Sequence, residues 1–166
     1  HKIHPDAKRE VEQRFDQLAR SGNDTAGLSR EVHLVTYTLK YNRMYWLTID
    51  RMGEHWQRAR VDARVGSSSE LEVAAENVTQ MTFSLPAGQR MLGVTRPVQV
   101  QVGKDRLQAP APGSDRSWTF TVHLADGHWR AGPLPGKGLA KRSGLQGPID
   151  DALMDSFIFV TPAGRD

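Results

Sequence analysis

The sequence contains no cysteine. This absence excludes disulfide bridges, thiolate zinc sites, iron–sulfur clusters and cysteine nucleophiles. Apolar runs long enough to cross a bilayer as a helix are also missing. The chain begins at His1 without an initiator methionine, so we expect it to be a processed product or a fragment, with any targeting signal lost upstream.

A large excess of one charge is missing as well. The 166 residues include 22 Lys and Arg against 19 Asp and Glu, which gives a net charge of +3. So small an excess does not indicate a nucleic-acid-binding surface, and neither nucleic acid nor a membrane is expected as a partner. Hydrophobic residues make up 38% and charged residues 25% of the chain, which predicts a folded globular protein and not a disordered one.

Complete catalytic motifs of the common types do not occur. The serine-hydrolase elbow G-x-S-x-G is absent, and the nearest string, Gly66 to Ser69, is typical of a polar turn between strands. The phosphate-binding loop, the dinucleotide fingerprint and the H-E-x-x-H motif are absent too. No two of the six histidines lie four residues apart, and His1 and His4 alone lack a third ligand, so neither a metal nor a cofactor is expected.

Residues 1–24 are predicted to form one terminal helix. Pro5 suits a first helical turn, and Gly22 is a good terminator. An apolar stripe recurs at helical spacing and consists of Ala7, Val11, Phe15 and Leu18. We expect this stripe to be partly exposed, instead of packing fully on the rest of the chain, and to pair with a second copy of itself.

Residues 25–166 show the period of two that is typical of strands. The predicted strands are 35–41, 44–49, 59–65, 71–73, 78–85, 98–102, 107–109, 118–122, 128–131 and 157–160. In the first of them, the residues predicted to form the packed face are Val35, Tyr37, Leu39 and Tyr41. The fold class expected is mainly β, an antiparallel β-sandwich of about seven to nine strands with one N-terminal α-helix. Residues 132–147 are predicted to form a long functional or interface loop.

Aromatic and cationic residues are concentrated on two neighbouring predicted strands. They are Arg43, Tyr45, Trp46, His55 and Trp56. Such side chains can stack on a sugar ring or a peptide, or they can fill the core of a sandwich, and the core interpretation is the more common one. The arginines of the next strand, Arg58, Arg60 and Arg64, are interrupted by Asp62 and indicate a solvated sheet face or one covered by another domain.

Three carboxylates occur close together near the end of the chain, at Asp150, Asp151 and Asp155. They suit a hard-cation site or a contact with a cationic partner, but a short helix at 149–154 would already use the first two as caps. The capping interpretation is favoured, so the segment is expected to be an interface or architectural element without a metal. Asn77-Val78-Thr79 matches a glycosylation acceptor, a tripeptide too common to be informative.

The closing stretch from Lys141 to Phe157 reads KRSGLQGPIDDALMDSF. It resembles the C-terminal end of a group of bacterial esterase-like proteins, which are α/β-hydrolases related to the prolyl oligopeptidase family. Shorter stretches at 35–39, 41–46 and 115–118 (VTYTL, YNRMYW and DRSW) look like the same group. The resemblance extends from about Arg30 onward, and the closing stretch is its most specific part.

In that group a hydrolase domain precedes a β-domain, and its last Gly-His pair supplies the histidine of a Ser-Asp-His triad. His1 matches the place of this histidine, whereas the nucleophile and the hydrolase sheet are not part of this chain. The resemblance thus implies a non-catalytic accessory domain of a periplasmic or extracellular serine hydrolase, with the catalytic domain as its partner, in the same chain or cleaved.

Two alternatives remain. One is a free-standing carbohydrate- or peptide-binding sandwich module, and the other is a chain that contributes His1 as general base to an enzyme assembled with another chain. A binding module of this kind needs an exposed aromatic platform, whereas an accessory domain would bury Trp46, Trp56 and Trp118.

Overall fold

The structure is a computed structural model that describes residues 4–21, 28–67, 69–135, 141 and 143–144. The helix α1 covers Pro5–Ser21, and one turn of 3-10 helix covers Leu39–Tyr41. The strands are β1 Glu31–Thr36, β2 Arg43–Met44, β3 Leu47–Met52, β4 Ala59–Val65, β5 Glu70–Glu76, β6 Val78–Leu85, β7 Val98–Val102, β8 Asp105–Ala109, β9 Trp118–Ala125 and β10 His128–Ala131. The predicted elements at 149–154 and 157–160 lie outside the described residues.

The ten strands form two five-stranded sheets. Sheet A has the order β1-β4-β5-β7-β8, and sheet B has the order β10-β9-β6-β3-β2. All pairs are antiparallel except the parallel pair β5 and β7. The predicted fold class, a mainly β sandwich with one N-terminal helix, is therefore confirmed.

The core lies between the sheets and follows the predicted alternation in most strands. On β4, the buried residues are Ala59, Val61, Ala63 and Val65, as the sequence predicts. Two aromatic pairs pack in the core. Trp46 and Phe83 have ring centroids 6.2 Å apart, and Trp118 stacks on Phe120 at 5.9 Å.

The predicted packed face of the first strand is wrong. The inward side chains of β1 are Val32, Leu34 and Thr36, whereas Val35, Tyr37 and Tyr41 are exposed and only Leu39 of the predicted set is buried. The strand ends because the Thr36 hydroxyl accepts from the Thr38 N–H at 3.2 Å and donates to the Thr38 carbonyl at 2.7 Å, which bends the backbone into the 3-10 turn. The gap at 42–43 between the predicted strands 35–41 and 44–49 is not the turn, which lies later, at Tyr45–Trp46 between β2 and β3.

Helix α1 exposes the apolar residues of its predicted stripe whose side chains are described. Val11 and Phe15 are both at least half exposed. Polar pairs between Lys8 and Glu12 and between Glu10 and Arg14 line the same helix at i, i+4 spacing. An exposed stripe is what the sequence analysis expects, and self-association through it stays a prediction. Among the described residues, no helix combines the length and the hydropathy needed to span a membrane.

The two sides of the sandwich, where edge strands of sheet A and sheet B meet, are built differently. On one side Asp105 of β8 joins the sheets, because its carboxylate accepts from the Trp129 N–H of β10 and lies 2.9 Å from the His128 Nδ1. On the other side, where β1 lies beside β2, the segment 37–42 passes from sheet A to sheet B. The exposed tyrosines belong to this second side, which is where the candidate site lies.

Candidate functional site

Four aromatic side chains on the β1–β2 side of the sandwich are exposed to solvent. We call them the aromatic patch, and they are Tyr37, Tyr41, Tyr45 and Trp56, each between 51% and 65% exposed. The patch is elongated, because Tyr45 lies in the turn before β3 and Trp56 lies in the loop after it. The backbone joins two of the three segments that bear them, since the Trp56 N–H donates to the Tyr37 carbonyl at 3.1 Å. Val35 and Met44 extend the exposed apolar surface. Tyrosine and tryptophan rings with one wet and one apolar side are the side chains that most often anchor interfaces.

Tyr45 occupies a backbone conformation that favours glycine. It is the first residue of the two-residue turn between β2 and β3, and its φ is +50°. The turn places Trp46 in the core, 2% exposed, where its indole N–H donates to the Ser29 carbonyl at 2.8 Å. Arg43 is exposed, and its Nε donates to the Tyr45 carbonyl at 3.4 Å. Of the residues proposed for a surface here, Arg43 and Tyr45 are therefore on the surface and Trp46 is in the core.

The loop that carries Trp56 is fixed by the side chain of Asn77. The Asn77 Oδ1 accepts from the Glu54 N–H at 2.7 Å, and its Nδ2 donates to the carbonyls of Glu54 and Gln57 at 2.8 and 3.3 Å. The Gly53 N–H adds a bond to the Asn77 carbonyl at 3.2 Å. Asn77 is the single residue between β5 and β6, and its φ of +54° is one that asparagine tolerates.

These contacts explain the asparagine of Asn77-Val78-Thr79 by its structural role, without glycosylation. The amide nitrogen that glycosylation would modify already donates to two carbonyls of the neighbouring loop. The space is also restricted, because a Cβ on Gly53 would lie 2.8 Å from the Asn77 Oδ1. Asn77 is thus a positioning residue for the loop of Trp56, a role that sequence reasoning missed. The sequence signal for this role is a single asparagine directly between two predicted strands, which indicates a tight turn.

The remaining predicted site residues lie outside the described residues or form no site. His1, Asp150, Asp151 and Asp155 lie outside the described residues. His55, beside Trp56, is half-buried, and partial burial together with the charge of Lys141 lowers its pKa. In the described ranges, no three His, Asp or Glu side chains gather into a group that could hold a metal ion.

The arginine face of β4 is balanced by carboxylates. Arg64 pairs with Glu72 at 2.7 Å, and Arg58 pairs with Glu76 at 2.9 Å. Asp62 accepts from Arg60 and from His33 at 2.7 Å each, and these hydrogen bonds lower the pKa of its carboxyl. Interleaved charges of this kind suit a solvated sheet face and do not form a basic surface for nucleic acid.

Two shallow depressions lie side by side on this face of sheet A. Their volumes are about 460 and 390 Å³. The floor at one end is formed by Ala74 and Gly103, and the polar walls include His33, Glu72 and Gln101. No phenylalanine, tyrosine or tryptophan is among the described residues that line either depression. Hydrogen bonding, without ring stacking, is the chemistry that this surface offers.

The outer face of sheet B contains one half-buried carboxyl, Asp50. It lies at an irregularity of the pairing between β3 and β6, and it accepts from the Thr82 hydroxyl at 2.6 Å. Thr82 also lies within 2.9 Å of the Thr121 hydroxyl. Burial raises the pKa of the Asp50 carboxyl, against the opposing effect of the hydrogen bonds from Thr82 and Gln80.

This raised pKa predicts how Asp50→Asn changes stability with pH. The folded state holds the Asp50 proton more tightly than the unfolded state does, so the group's contribution to stability falls as pH rises through the window above its ordinary pKa of 3.8. Asparagine stays neutral and keeps an oxygen for Thr82. We expect the variant to be at least as stable as the parent at pH 7 and to lose that relative advantage near pH 3.

Chemical denaturation at pH 3, 5 and 7 measures this difference. The control is Asp126→Asn, because Asp126 is 85% exposed and pairs only weakly with Arg130 across one turn at 3.2 Å. The control should follow the parent at every pH. An Asp50→Asn variant that is less stable than the parent by the same amount at all three values would contradict the assignment.

Comparisons with protein-family models, with curated proteins and with solved structures found no match to this chain. The resemblance to the hydrolase group therefore stays a prediction.

Proposed function

We propose that this chain is the accessory β-domain of a bacterial α/β-hydrolase of the esterase or peptidase type, and that it binds the catalytic domain through the aromatic patch. The observation that carries the proposal is the patch itself. Four large rings are exposed on segments whose backbone is held by specific hydrogen bonds. The resemblance of the sequence supplies the class of partner.

Two of the patch residues are held in unfavourable backbone conformations. Tyr45 and Trp56 have φ values of +50° and +68°, a region that bulky residues rarely adopt. Each costs roughly 1–3 kcal/mol, which glycine or asparagine would avoid. Neither ring repays that cost by burial, since both are more than half exposed. A strained and exposed aromatic residue is best explained by a contact made outside the described chain.

The loop that carries Trp56 in the aromatic patch is preorganised for binding. The Asn77 amide fixes the Trp56 loop before any partner arrives, so little conformational entropy remains to be lost on association. Rigid aromatic anchors near the centre of an interface commonly contribute most of its binding energy. The patch therefore has the composition and the rigidity of an interface centre.

The tryptophans support an accessory domain over a module that binds sugars on those rings. Trp46 and Trp118 are 2% and 4% exposed, and the Trp118 indole donates to the Pro110 carbonyl at 2.9 Å. Trp56 is 51% exposed, contrary to the expectation that an accessory domain would bury it, but one exposed ring among these three does not form the platform that a sugar-binding module needs. The resemblance further implies that a serine hydrolase is the parent, and this chain alone is expected to have no esterase activity.

The second candidate is a free-standing carbohydrate-binding module that uses the depressions of sheet A. The observation favouring it is the mixture of amide, carboxylate and guanidinium groups around the two depressions, which can donate to and accept from sugar hydroxyls. Binding of neutral oligosaccharides that is lost in Glu72→Ala and Gln101→Ala, and retained in patch variants, would establish this function in place of the first.

The reading frame upstream of His1 gives the first test. An α/β-hydrolase domain with a nucleophile elbow, in that frame or in a neighbouring gene, is required by the proposal. The second test titrates that purified catalytic domain with this chain. We expect the double variant Tyr45→Ser, Trp56→Ser to bind at least about tenfold more weakly, in line with the loss of two interface anchors.

The matched control changes the outer face of sheet A, where none of the four patch residues lies. Arg64→Ser with Glu72→Ser removes an exposed ion pair on sheet A, of the kind that contributes little to stability, and it leaves the patch unchanged. This control should bind like the parent chain. Equal affinity of the patch variant and the parent chain would overturn the proposed interface.

A further inference from the structure

Among the described strands, β1 is an edge of sheet A. Its neighbour on one side is β4, and the Val65 N–H donates to the Arg30 carbonyl at 2.9 Å, which fixes the register of the hydrogen bonds. Because bonded and non-bonded pairs alternate along antiparallel strands, His33 and Val35 direct their backbone N–H and C=O groups away from β4. In the described part of the chain, these groups have no recorded partner.

The side chains of this edge are accessible as well, as far as the structure describes the chain. The His33 side chain is 66% exposed and Val35 is 51% exposed. β1 has six residues, whereas β2, the edge of sheet B on the same side, has only two. The opposite side of the sandwich is different, because Asp105 ties β8 to β10. An exposed edge strand is a template for another strand unless something covers it.

We infer that the β1 edge binds an extended segment of the partner polypeptide, which adds to sheet A as a sixth strand beside the aromatic patch. The inference rests on the proposed function and specifies how the partner binds. Backbone hydrogen bonds to His33 and Val35 would hold the segment in register, and the patch would contact its side chains. This is the mode of recognition in which main-chain bonds provide affinity and neighbouring side chains provide specificity.

The surroundings of the edge define the chemistry of that segment. On the outer side of the sheet, Val35 and Tyr37 present apolar surface beside the edge. Arg43 of the neighbouring β2 donates to a backbone carbonyl and has no recorded carboxylate partner among the described residues. The complementary segment therefore alternates apolar residues with polar ones and includes an acidic residue for Arg43.

Proline at an outward-facing edge position tests strand addition directly. Val35→Pro removes an N–H that β4 does not use, so the fold should survive, while the edge loses a donor and gains a ring that obstructs a sixth strand. His33→Pro is the second variant, in case the first does not fold. Gln108→Pro changes β8, the opposite edge of the same sheet, and serves as the control. Thermal melting establishes which variants are folded.

The probe is a library of short peptides displayed on phage and selected on the immobilised chain. We expect selected peptides to bind the folded Val35→Pro or His33→Pro variant at least about tenfold more weakly, and the control like the parent. In the parent chain, the amide protons of His33 and Val35 should become protected from exchange on peptide binding. This second readout needs no variant.

Four results would overturn the inference. Selection of no binding peptide overturns the inference, and so does binding that the proline variants and the exchange of the two amides leave unchanged. Light scattering that shows a dimer of the parent chain and a monomer of Val35→Pro would make a second copy the occupant of the edge. The proposed function is judged separately, by the titration with the catalytic domain. If the patch variant loses binding in that titration and the proline variants do not, the proposed function stands and strand addition is rejected.

Discussion

Replacing Trp46 with alanine is expected to lower the free energy of unfolding by about 3–5 kcal/mol. The indole is almost fully buried, packs against Phe83 and donates to the Ser29 carbonyl. Its removal leaves a cavity between the sheets and a carbonyl without its donor. Trp46→Phe should lose less, since it keeps most of the apolar contact and only the hydrogen bond is missing.

Trp56→Ala is the matched control for this prediction. Its ring is half exposed, and we expect a change within about 0.5 kcal/mol, or a slight gain if the left-handed backbone relaxes. Urea denaturation followed by circular dichroism measures both variants on one scale. Similar losses for the two tryptophans would mean that the assignment of one to the core and the other to the surface is incorrect.

Asn77→Ala is expected to cost about 2–4 kcal/mol. The substitution removes three hydrogen bonds to Glu54 and Gln57, and it places a β-carbon without a polar group at a φ of +54°. Asn77→Gly separates the two effects. Glycine adopts the same backbone conformation without strain, so its loss should be smaller by about 1 kcal/mol and should report the amide alone.

The control for Asn77 is Thr79→Ala. It destroys the glycosylation acceptor but leaves the Asn77 amide in place, and the Thr79 hydroxyl makes only one long bond of 3.4 Å. Urea denaturation of protein made in a host without N-glycosylation should show a small loss for this variant. If Thr79→Ala lost as much stability as Asn77→Ala, the hydrogen bonds of the Asn77 amide would not be the source of the effect.

The alternation of apolar and polar residues predicts the buried face correctly where the two faces of a strand differ clearly in polarity. On β4, small and branched apolar residues alternate with charged ones, and the buried set is the predicted set. The first strand shows the limit of the method. Tyr37 and Tyr41 continue a period of two past the point where the Thr36 side chain ends the strand through its bonds to Thr38, whereas Val35 lies inside the strand on its outer face. Periodicity does not register a bend made by one side chain.

The candidate site was predictable only in part, for a related reason. The sequence indicates an aromatic and cationic region around 43–56, but it leaves core and surface as alternatives for each ring. The φ of Tyr45 decides the outcome for Tyr45 and Trp46, and local propensity assigns that left-handed conformation to glycine or asparagine. The Asn77 amide acts across more than twenty residues of sequence, between two loops that only the pairing of β3 with β6 brings together.

Collisional quenching of Trp56 tests the central claim most directly. Acrylamide should quench a larger fraction of the tryptophan emission in the parent chain than in Trp56→Phe, because Trp46 and Trp118 are buried and the partly buried Trp129 is common to both proteins. Addition of a saturating amount of the upstream catalytic domain is expected to abolish that fraction in the parent chain. Quenching of Trp56 that stays the same in the presence of bound catalytic domain would contradict the account, because it would show that the aromatic patch remains open to solvent in the complex.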